Sequence, residues 1–223
     1  MNLNLSKRVI TSFFLLLILC LSLFVHKYFW LVTLVLVSVI AYIEFQNIIK
    51  KILKIKKNSL ILLKFLIFLY LLFFIFSSYS IYKNPPIVLI FILLICICSD
   101  TGGFIIGKLI GGQKLTKISP NKTVSGSVGS FIFSLIPTII FLIIFNYTNN
   151  ENFKINETTY TIILSLFLSL ICQLGDLCIS YFKRKANVKD TGSILPGHGG
   201  ILDRVDGAIF VLPAAFILNI ITL

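Results

Sequence analysis

The stretch YTIILSLFLSLICQLGDLCISYF at residues 160–182 decides the fold, because it is long, apolar and interrupted by one charged side chain, Asp176. About 20 mainly apolar residues are needed for a helix to cross a bilayer. Other stretches have the same character, and together they predict an all-α integral membrane protein, a polytopic bundle of about seven transmembrane helices. The predicted spans are residues 9–25, 28–43, 60–82, 86–107, 127–145, 160–182 and 205–222.

The composition of the whole chain agrees with this fold class. Of its 223 residues, 57% are hydrophobic and 13% are charged, and the mean hydropathy is +1.01. Soluble domains average about 45–50% apolar and about 25% charged residues, so a cytosolic enzyme and a disordered chain are excluded. The same apolar surplus disfavours a nucleic-acid binder despite the net charge of +12. The five cysteines lie in apolar stretches, which predicts packing residues rather than disulfides or a zinc site.

The basic residues set the predicted orientation. Sixteen of the twenty Lys and Arg residues precede the first span or lie in the second, fourth and sixth connections. Because cytoplasmic loops are rich in Lys and Arg, we expect a cytoplasmic N-terminus and an external C-terminus. The first span is interpreted as a retained anchor rather than a signal peptide, since no small-x-small cleavage site follows it.

The aspartates are the most informative polar residues. Each is predicted on the cytoplasmic side or in the adjoining half of a span; they are Asp100, Asp176, Asp190, Asp203 and Asp206. Asp176 also joins a stripe of Ser, Gln and Lys along one face of the sixth span. Such a stripe is typical of hydrogen bonding between helices or of a functional site. We favour a site, because an Asp at the centre of a span costs about 2.5–3.5 kcal/mol.

Asp100 lies in a segment that predicts a break in the fourth span. Residues 99–103, SDTGG, interrupt an apolar run, and broken helices at membrane depth line protein or a watery cavity. Gly103, Gly107 and Gly111, four residues apart, predict close contact with another helix. The local GxxxxGK pattern is not interpreted as a P-loop, because a Leu occupies the Ser/Thr position that binds Mg²⁺.

The fourth connection contains SPNKTVSG at residues 119–126, just before the fifth span. Backbone N–H groups at a helix start, together with Lys122, suit a phosphate. A turn with an ordinary helix cap explains the same residues equally well, so both interpretations stay open.

The sixth connection, KRKANVKDTGSILPGHGGILDRVD at residues 183–206, carries the clearest chemistry. Its glycines allow the backbone to approach a ligand closely. Asp203 and Asp206, three residues apart at a helix start, share one helical face, and we expect Asp176 to join them. Carboxylates with open positions suit Mg²⁺, which also binds substrate phosphates. Only one His, His198, lies in this loop, so a zinc site is not predicted.

Residues 180–206 resemble the signature of the phosphatidate cytidylyltransferases (CDP-diacylglycerol synthases). Residues 99–104, SDTGGF, resemble a second block, with Gly and Phe in place of the usual Ala and Tyr. Residues 119–123, SPNKT, resemble a third, although Ser125 stands where the family usually has Glu. The likeness covers residues 95–210. The filled signature positions are Ser180, Lys183, Arg184, Lys189, Asp190, Gly192, His198, Gly199, Gly200, Asp203, Arg204 and Asp206.

The resemblance implies transfer of CMP from CTP to phosphatidic acid, which gives CDP-diacylglycerol and pyrophosphate for phospholipid synthesis. It implies Mg²⁺, with a second cation such as K⁺, and a homodimer in the bacterial inner membrane whose active site faces the cytoplasm. CTP, phosphatidic acid and membrane lipids are the implied partners, without nucleic acid. The expected organisation is N-terminal transmembrane helices at 1–84 and a catalytic membrane domain at 85–223, with cytoplasmic-face loops at 107–127 and 183–206.

The resemblance also assigns roles to individual residues. The implied metal ligands are Asp176, Asp203 and Asp206. The implied catalytic residues are these three aspartates with Lys183 and Arg184. The implied substrate-binding residues are Asp100, Ser119, Lys122, Thr123, Ser180, Lys189, His198 and Arg204.

Two alternatives stay open. A CTP-dependent polyprenol kinase-like enzyme has related chemistry, and motif spacing alone does not separate it. A proton-coupled transporter also uses buried aspartates, but usually places them near mid-membrane between internal repeats, and no repeat is visible in the sequence. A CDP-alcohol phosphotransferase is disfavoured, because the DxxDGA that begins at Asp203 lacks the Arg and the later aspartates of that pattern.

Overall fold

A computed structural model describes residues 3–52, 57–82, 86–116, 118–149, 155–197 and 199–218. Within these residues the chain forms seven α-helices, and its β structure is confined to two isolated bridges. This confirms the all-α prediction. The helices are α1 (Leu3–Phe24), α2 (Lys27–Lys50), α3 (Lys57–Ile81), α4 (Ile87–Ile110), α5 (Val124–Asn149), α6 (Ile155–Lys185) and α7 (Leu202–Ile217).

Five helices are long and apolar enough to cross a membrane. In α1 the apolar part is the shorter stretch Val9–Phe24, and α7 has 16 residues with Pro213 inside it. Large apolar side chains cover much of the outward surface, as lipid-facing helices require. The protein is therefore a polytopic membrane bundle. The candidate spans among the described residues are Lys27–Lys50, Asn58–Ile81, Ile87–Ile110, Val124–Ile144 and Thr158–Lys185.

The predicted spans and the helices differ by a few residues at most of their ends, including the end of α2 and the start of α7. The sequence predicts that the second span ends at residue 43, but α2 continues to Lys50. The reason is that Glu44 is 2% exposed and lies against other parts of the protein instead of in a solvated loop. The last helix begins at Leu202, three residues before the predicted start, and residues 219–222 of the predicted span lie outside the described residues.

The contact between α4 and α5 is the most extensive between any two helices in the described part of the chain. A Cβ added at Gly102 would lie 2.5 Å from the Cβ of Phe133, so no side chain fits there. Gly103 and Gly107 also face α5 or the residues just before it, which confirms the predicted close contact for these two glycines. Gly111 instead ends α4 with a φ of 63°.

The predicted break at residues 99–103 is wrong, since α4 runs without interruption from Ile87 to Ile110. Glycine inside a helix costs about 1 kcal/mol relative to Ala, but here the close packing on α5 offsets that cost. The polar residues also have partners, since the hydroxyl of Thr101 donates to the Ile97 carbonyl at 2.8 Å and the hydroxyl of Ser99 lies 2.9 Å from that of Ser169 on α6.

The other helix contacts position the loop that joins α6 to α7, residues 186–201, which is called the signature loop below. α7 packs against α6 and α3, and α4 also contacts α6. Fully buried apolar residues such as Ile92, Leu168 and Val211 fill the space between these helices. The loop between α6 and α7 folds back so that Thr191 contacts Glu44 on α2. This loop therefore contacts α2 in addition to the two helices that it connects.

Candidate active site

A cavity of about 410 Å³ lies where α4, α5, α6 and α7 meet the loop that precedes α5. Carboxylates and lysines line it together with serine and threonine hydroxyls. It brings together most of the residues that the resemblance assigns to substrate or metal. These are Asp100, Ser119, Lys122, Thr123, Asp176, Lys183, Asp203 and Asp206.

Asp176 connects α6 to the loop before α5. Its carboxylate forms an ion pair with Lys122, and its Oδ1 accepts a hydrogen bond of 3.2 Å from the hydroxyl of Ser180, one turn later. Both members of the ion pair are partly exposed, and such pairs contribute little to stability. The pair therefore places a cation and a carboxylate at the cavity while leaving both free to exchange partners with a ligand.

Asp203, in the first turn of α7, is held by several donors. Lys183 Nζ lies 2.7 Å from its Oδ1. Its Oδ2 accepts hydrogen bonds from the amides of Thr191 (2.8 Å) and Gly200 (3.1 Å). Burial favours the neutral acid, yet Lys183 and these two amides together hold the pKa of Asp203 below its ordinary value. Asp203 is therefore an ionised carboxylate that ties the signature loop to α7.

Asp206 lies one turn further along α7 and is only 9% exposed. Its Oδ1 accepts a hydrogen bond of 3.0 Å from the amide of Gly207. The charges of Asp176 and Asp100 both act on it. Carboxylates from α4, α6 and α7 thus face one space, and their mutual repulsion favours a bound cation.

These carboxylates suit Mg²⁺ in kind, because carboxylate oxygens are among its usual protein ligands. In the part of the chain that the structure describes, no three Asp, Glu, His or Cys side chains are arranged to surround one ion. Mg²⁺ commonly uses one or two carboxylates together with waters and substrate phosphates, so a full protein cage is not required. Asp176 and Asp206 are better placed than Asp203, whose Oδ2 is already occupied by loop donors.

A second groove of about 550 Å³ is formed by the signature loop and the start of α7. Lys189 and Arg204 line this groove and are not among the residues that line the first cavity. Arg184 is exposed near the end of α6. His198 lies outside the described residues. The predicted phosphate-binding cations are thus divided between two neighbouring surfaces.

The turn before α5 contains the helix cap that one interpretation of residues 119–126 requires. Thr123 Oγ1 accepts a hydrogen bond of 3.1 Å from the amide of Gly126, as an N-cap residue does. The ordinary helix cap is therefore present. Ser119 and Lys122 line the cavity beside it, so the cap also sets the position of two polar groups that face a ligand.

Glu44 is a residue beside the site that sequence reasoning missed. It is buried on α2, and its oxygens accept hydrogen bonds from the loop that also holds Asp203. A signal was present, because a carboxylate inside a membrane span is a functional candidate by default. The predicted span end at residue 43 placed Glu44 in a loop and hid that signal.

Comparison with known proteins agrees with this geometry. The sequence model of the cytidylyltransferase family matches residues 50–221, which is most of the chain. The chain belongs to the cytidylyltransferase family. The part shared with the cytidylyltransferases includes α3 to α7, the loop that lines the cavity and the loop that forms the groove, whereas α1 and nearly all of α2 precede it.

Similar members of the cytidylyltransferase family carry the name phosphatidate cytidylyltransferase. The protein from Staphylococcus saprophyticus is 46% identical over 133 residues, which are 59% of this chain and 48% of that protein. The protein from Rickettsia typhi is 46% identical over 136 residues, 59% of each chain. The protein from Rickettsia bellii is 45% identical over 141 residues, 61% of this chain and 60% of that protein. The chain therefore spans about half to three fifths of the length of the curated relatives it matches.

Proposed function

We propose that this chain is a phosphatidate cytidylyltransferase, which transfers CMP from CTP to phosphatidic acid to give CDP-diacylglycerol and pyrophosphate. The observation that carries the proposal is that Asp176, Asp203 and Asp206 share one cavity with Lys122 and Lys183. Membership of the cytidylyltransferase family supports nucleotidyl transfer. The name of the relatives supports phosphatidate as the acceptor.

The reaction must bring two polyanions together. A phosphate oxygen of the lipid attacks the α-phosphorus of CTP, a new P–O bond forms, and the bond to the β-phosphate oxygen breaks to release pyrophosphate. The nucleophile is already anionic, so a strong general base is not needed. Catalysis then depends on position and on charge neutralisation. Lys122 and Lys183 serve this purpose from two sides of the cavity, each placed by an aspartate partner.

Mg²⁺, with a second cation such as K⁺, would be held by Asp176, Asp203 and Asp206, and when bound it neutralises phosphate charge and orients the leaving group. Asp176 and Asp206 offer oxygens that face the cavity. Asp203 offers Oδ1, which it shares with Lys183, while its Oδ2 keeps the loop in place.

The other substrate contacts are assigned by their place around the two surfaces. Ser119 and Thr123 line the cavity with Lys122, and so does Asp100 on α4, which is proposed to contact the lipid headgroup. Ser180 acts through its hydrogen bond to Asp176. The groove beside the cavity suits further phosphate oxygens of CTP. The proposed contacts on or near that groove are Arg184, Lys189 and Arg204. His198 is proposed as a substrate contact from the signature alone.

We propose the same cellular arrangement that the charge distribution predicts. The N-terminus and the loops at 107–127 and 183–206 face the cytoplasm across the bacterial inner membrane, where CTP is available. The helices at 1–84 form the N-terminal part, residues 85–223 form the catalytic membrane domain, and the enzyme is a homodimer. Cysteine labelling from either side of intact cells tests the orientation, and cross-linking in native membranes tests the dimer.

CTP labelled at either the α- or the γ-phosphate tests the reaction. Purified protein in nanodiscs with Mg²⁺ and phosphatidate is expected to transfer the α label to a lipid that co-migrates with CDP-diacylglycerol, and to leave the γ label in water-soluble pyrophosphate. Transfer of the γ label to an added polyprenol would identify the kinase alternative and overturn the proposal. Folded protein that labels no lipid from either position would overturn it as well.

A further inference from the structure

The carboxylate of Glu44 makes contacts that the proposed reaction does not use. It lies on α2 among buried apolar residues such as Ala41 and Ile48, and it is itself 2% exposed. A buried charge is unfavourable unless hydrogen bonds replace the water that it loses. A carboxylate is therefore stable at this position only if neighbouring groups donate hydrogen bonds to its two oxygens.

Both oxygens accept backbone hydrogen bonds at the start of α7. Oε1 accepts from the amide of Ile201 at 3.0 Å, and Oε2 accepts from the amide of Leu202 at 2.9 Å. Ile201 is the N-cap residue of α7, and its own side chain makes no capping hydrogen bond. Since the first N–H groups of a helix lack partners within the helix, Glu44 satisfies them from a different helix, and its negative charge is favourable at that end.

Glu44 and Asp203 hold the same short loop from opposite sides. The hydroxyl of Thr191 lies 2.9 Å from Glu44 Oε2 and 2.9 Å from Asp203 Oδ2, and donates its single proton to one of them at a time. Gly200 lies between the same groups: its amide donates to Asp203, and a Cβ there would collide with both the Thr191 hydroxyl and the Glu44 carboxylate. A Cβ at Gly192 would lie 2.6 Å from Glu44 Oε1. A side chain at either of these two glycines of the signature would therefore overlap the carboxylate of Glu44.

We propose that Glu44 is a positioning residue of the active site. By accepting hydrogen bonds from Thr191, Ile201 and Leu202, it fixes the start of α7 and with it the carboxylates of Asp203 and Asp206. Glu44 does not line the cavity and precedes the family match, which begins at residue 50. The N-terminal helices therefore supply part of the framework of the active site in addition to apolar surface. The role of Glu44 in activity rests on the proposed function, whereas its hydrogen bonds to the loop do not.

Glu44→Gln tests the proposal with little change in volume. A glutamine has one acceptor oxygen, so its NH₂ group faces a backbone N–H that Glu44 now satisfies. Ser38→Ala is the matched control, because Ser38 is also buried on α2, and its hydroxyl has no hydrogen-bond partner among the described residues. Glu44→Asp keeps the charge and serves as the conservative variant. The two measurements are amide hydrogen exchange of peptides covering residues 191–206 and steady-state kinetics with CTP and phosphatidate.

We expect Glu44→Gln to speed exchange in this segment about tenfold and to lower kcat by about tenfold or more, with the KM for phosphatidate unchanged. Glu44→Asp is expected to recover part of both losses, and Ser38→Ala to match the wild type. Wild-type exchange in Glu44→Gln would overturn the inference, and so would faster exchange with unchanged kcat. If the wild-type protein makes no CDP-diacylglycerol, the proposed function fails, and the exchange result alone supports or overturns the hold of Glu44 on the loop.

Discussion

Asp203 and Asp206 lie one turn apart on α7 and belong to two regions whose carboxylate oxygens have different kinds of hydrogen-bond partner. In the loop anchor, which comprises Glu44, Thr191, Asp203 and residues 200–202, backbone amides supply most of the hydrogen bonds. In the acidic cavity, which comprises the carboxylates of Asp100, Asp176 and Asp206, the partners include a lysine, a serine hydroxyl and a cysteine thiol. Backbone partners are fixed by the fold, whereas side-chain partners can exchange for a ligand. The anchor is therefore suited to structure and the cavity to binding.

The comparison separates two aspartates that look equivalent in the sequence. Asp203 and Asp206 belong to one DxxD motif and share a helical face. Asp203 accepts hydrogen bonds from the loop before it, and Asp206 faces the charges of the cavity. Substitution of each is thus expected to fail in a different way.

Asp206→Asn is expected to have the largest effect, a loss of kcat of about 100- to 1,000-fold, because it removes a carboxylate charge that faces the phosphates. Hydrogen exchange in the loop is expected to stay as in the wild type. The activity is measured as CDP-diacylglycerol formed per amount of purified protein. Activity near the wild-type level would show that the acidic cavity does not bind the substrate phosphates.

Asp203→Asn is expected to lower activity by about 10- to 100-fold and also to loosen the loop. The pKa of Asp203 is lowered in the folded protein, so its contribution to stability is complete above the unfolded value of about 3.9 and is lost as the pH falls through the lower folded value. We therefore expect a shallower loss of thermal stability below about pH 4 in the variant than in the wild type. Identical acid profiles would contradict the anchor role.

Lys122→Met is expected to raise the KM for CTP about tenfold, because it removes a cation that lines the cavity and pairs with Asp176. Lys122→Arg keeps the charge and is expected to recover most of the affinity. Initial rates at varied CTP concentration measure both. An unchanged KM in the methionine variant would remove Lys122 from the nucleotide site.

Thr191→Val is expected to have the smallest effect, a fewfold loss of kcat with slightly faster exchange in the loop. It deletes the hydroxyl between Glu44 and Asp203 but keeps the amide that donates to Asp203, and one neutral hydrogen bond contributes about 1 kcal/mol. Thr191→Ser should restore wild-type values. A loss of kcat as large as that of Asp206→Asn would contradict the proposed difference between the loop anchor and the acidic cavity.

Much of the fold follows from the sequence, because hydropathy and length are sufficient to identify helices in a membrane. The errors have local causes. SDTGG at residues 99–103 contains polar residues and glycines that usually interrupt a helix, but contact with α5 keeps α4 continuous. The end of α2 is mispredicted because burial of Glu44 depends on a loop about 150 residues away in sequence.

The sequence predicts which residues belong to the site, but it does not predict how they are arranged in space. The resemblance selects Asp176, Asp203 and Asp206, and all three line one cavity. Spacing cannot show that Lys189 and Arg204 lie in a separate groove, nor that Asp203 faces the amides of the loop, because both depend on how residues 186–201 fold back. Contacts of that kind arise only in the tertiary structure.

Electron paramagnetic resonance of Mn²⁺ added to the purified protein with CTP tests the central claim most directly, namely that the acidic cavity binds the divalent cation while the loop anchor holds the backbone. The wild-type protein is expected to bind Mn²⁺, Asp206→Asn to weaken binding about tenfold or more, and Thr191→Val to bind nearly as well as the wild type. Mn²⁺ binding that is the same in Asp206→Asn as in the wild type would contradict the account.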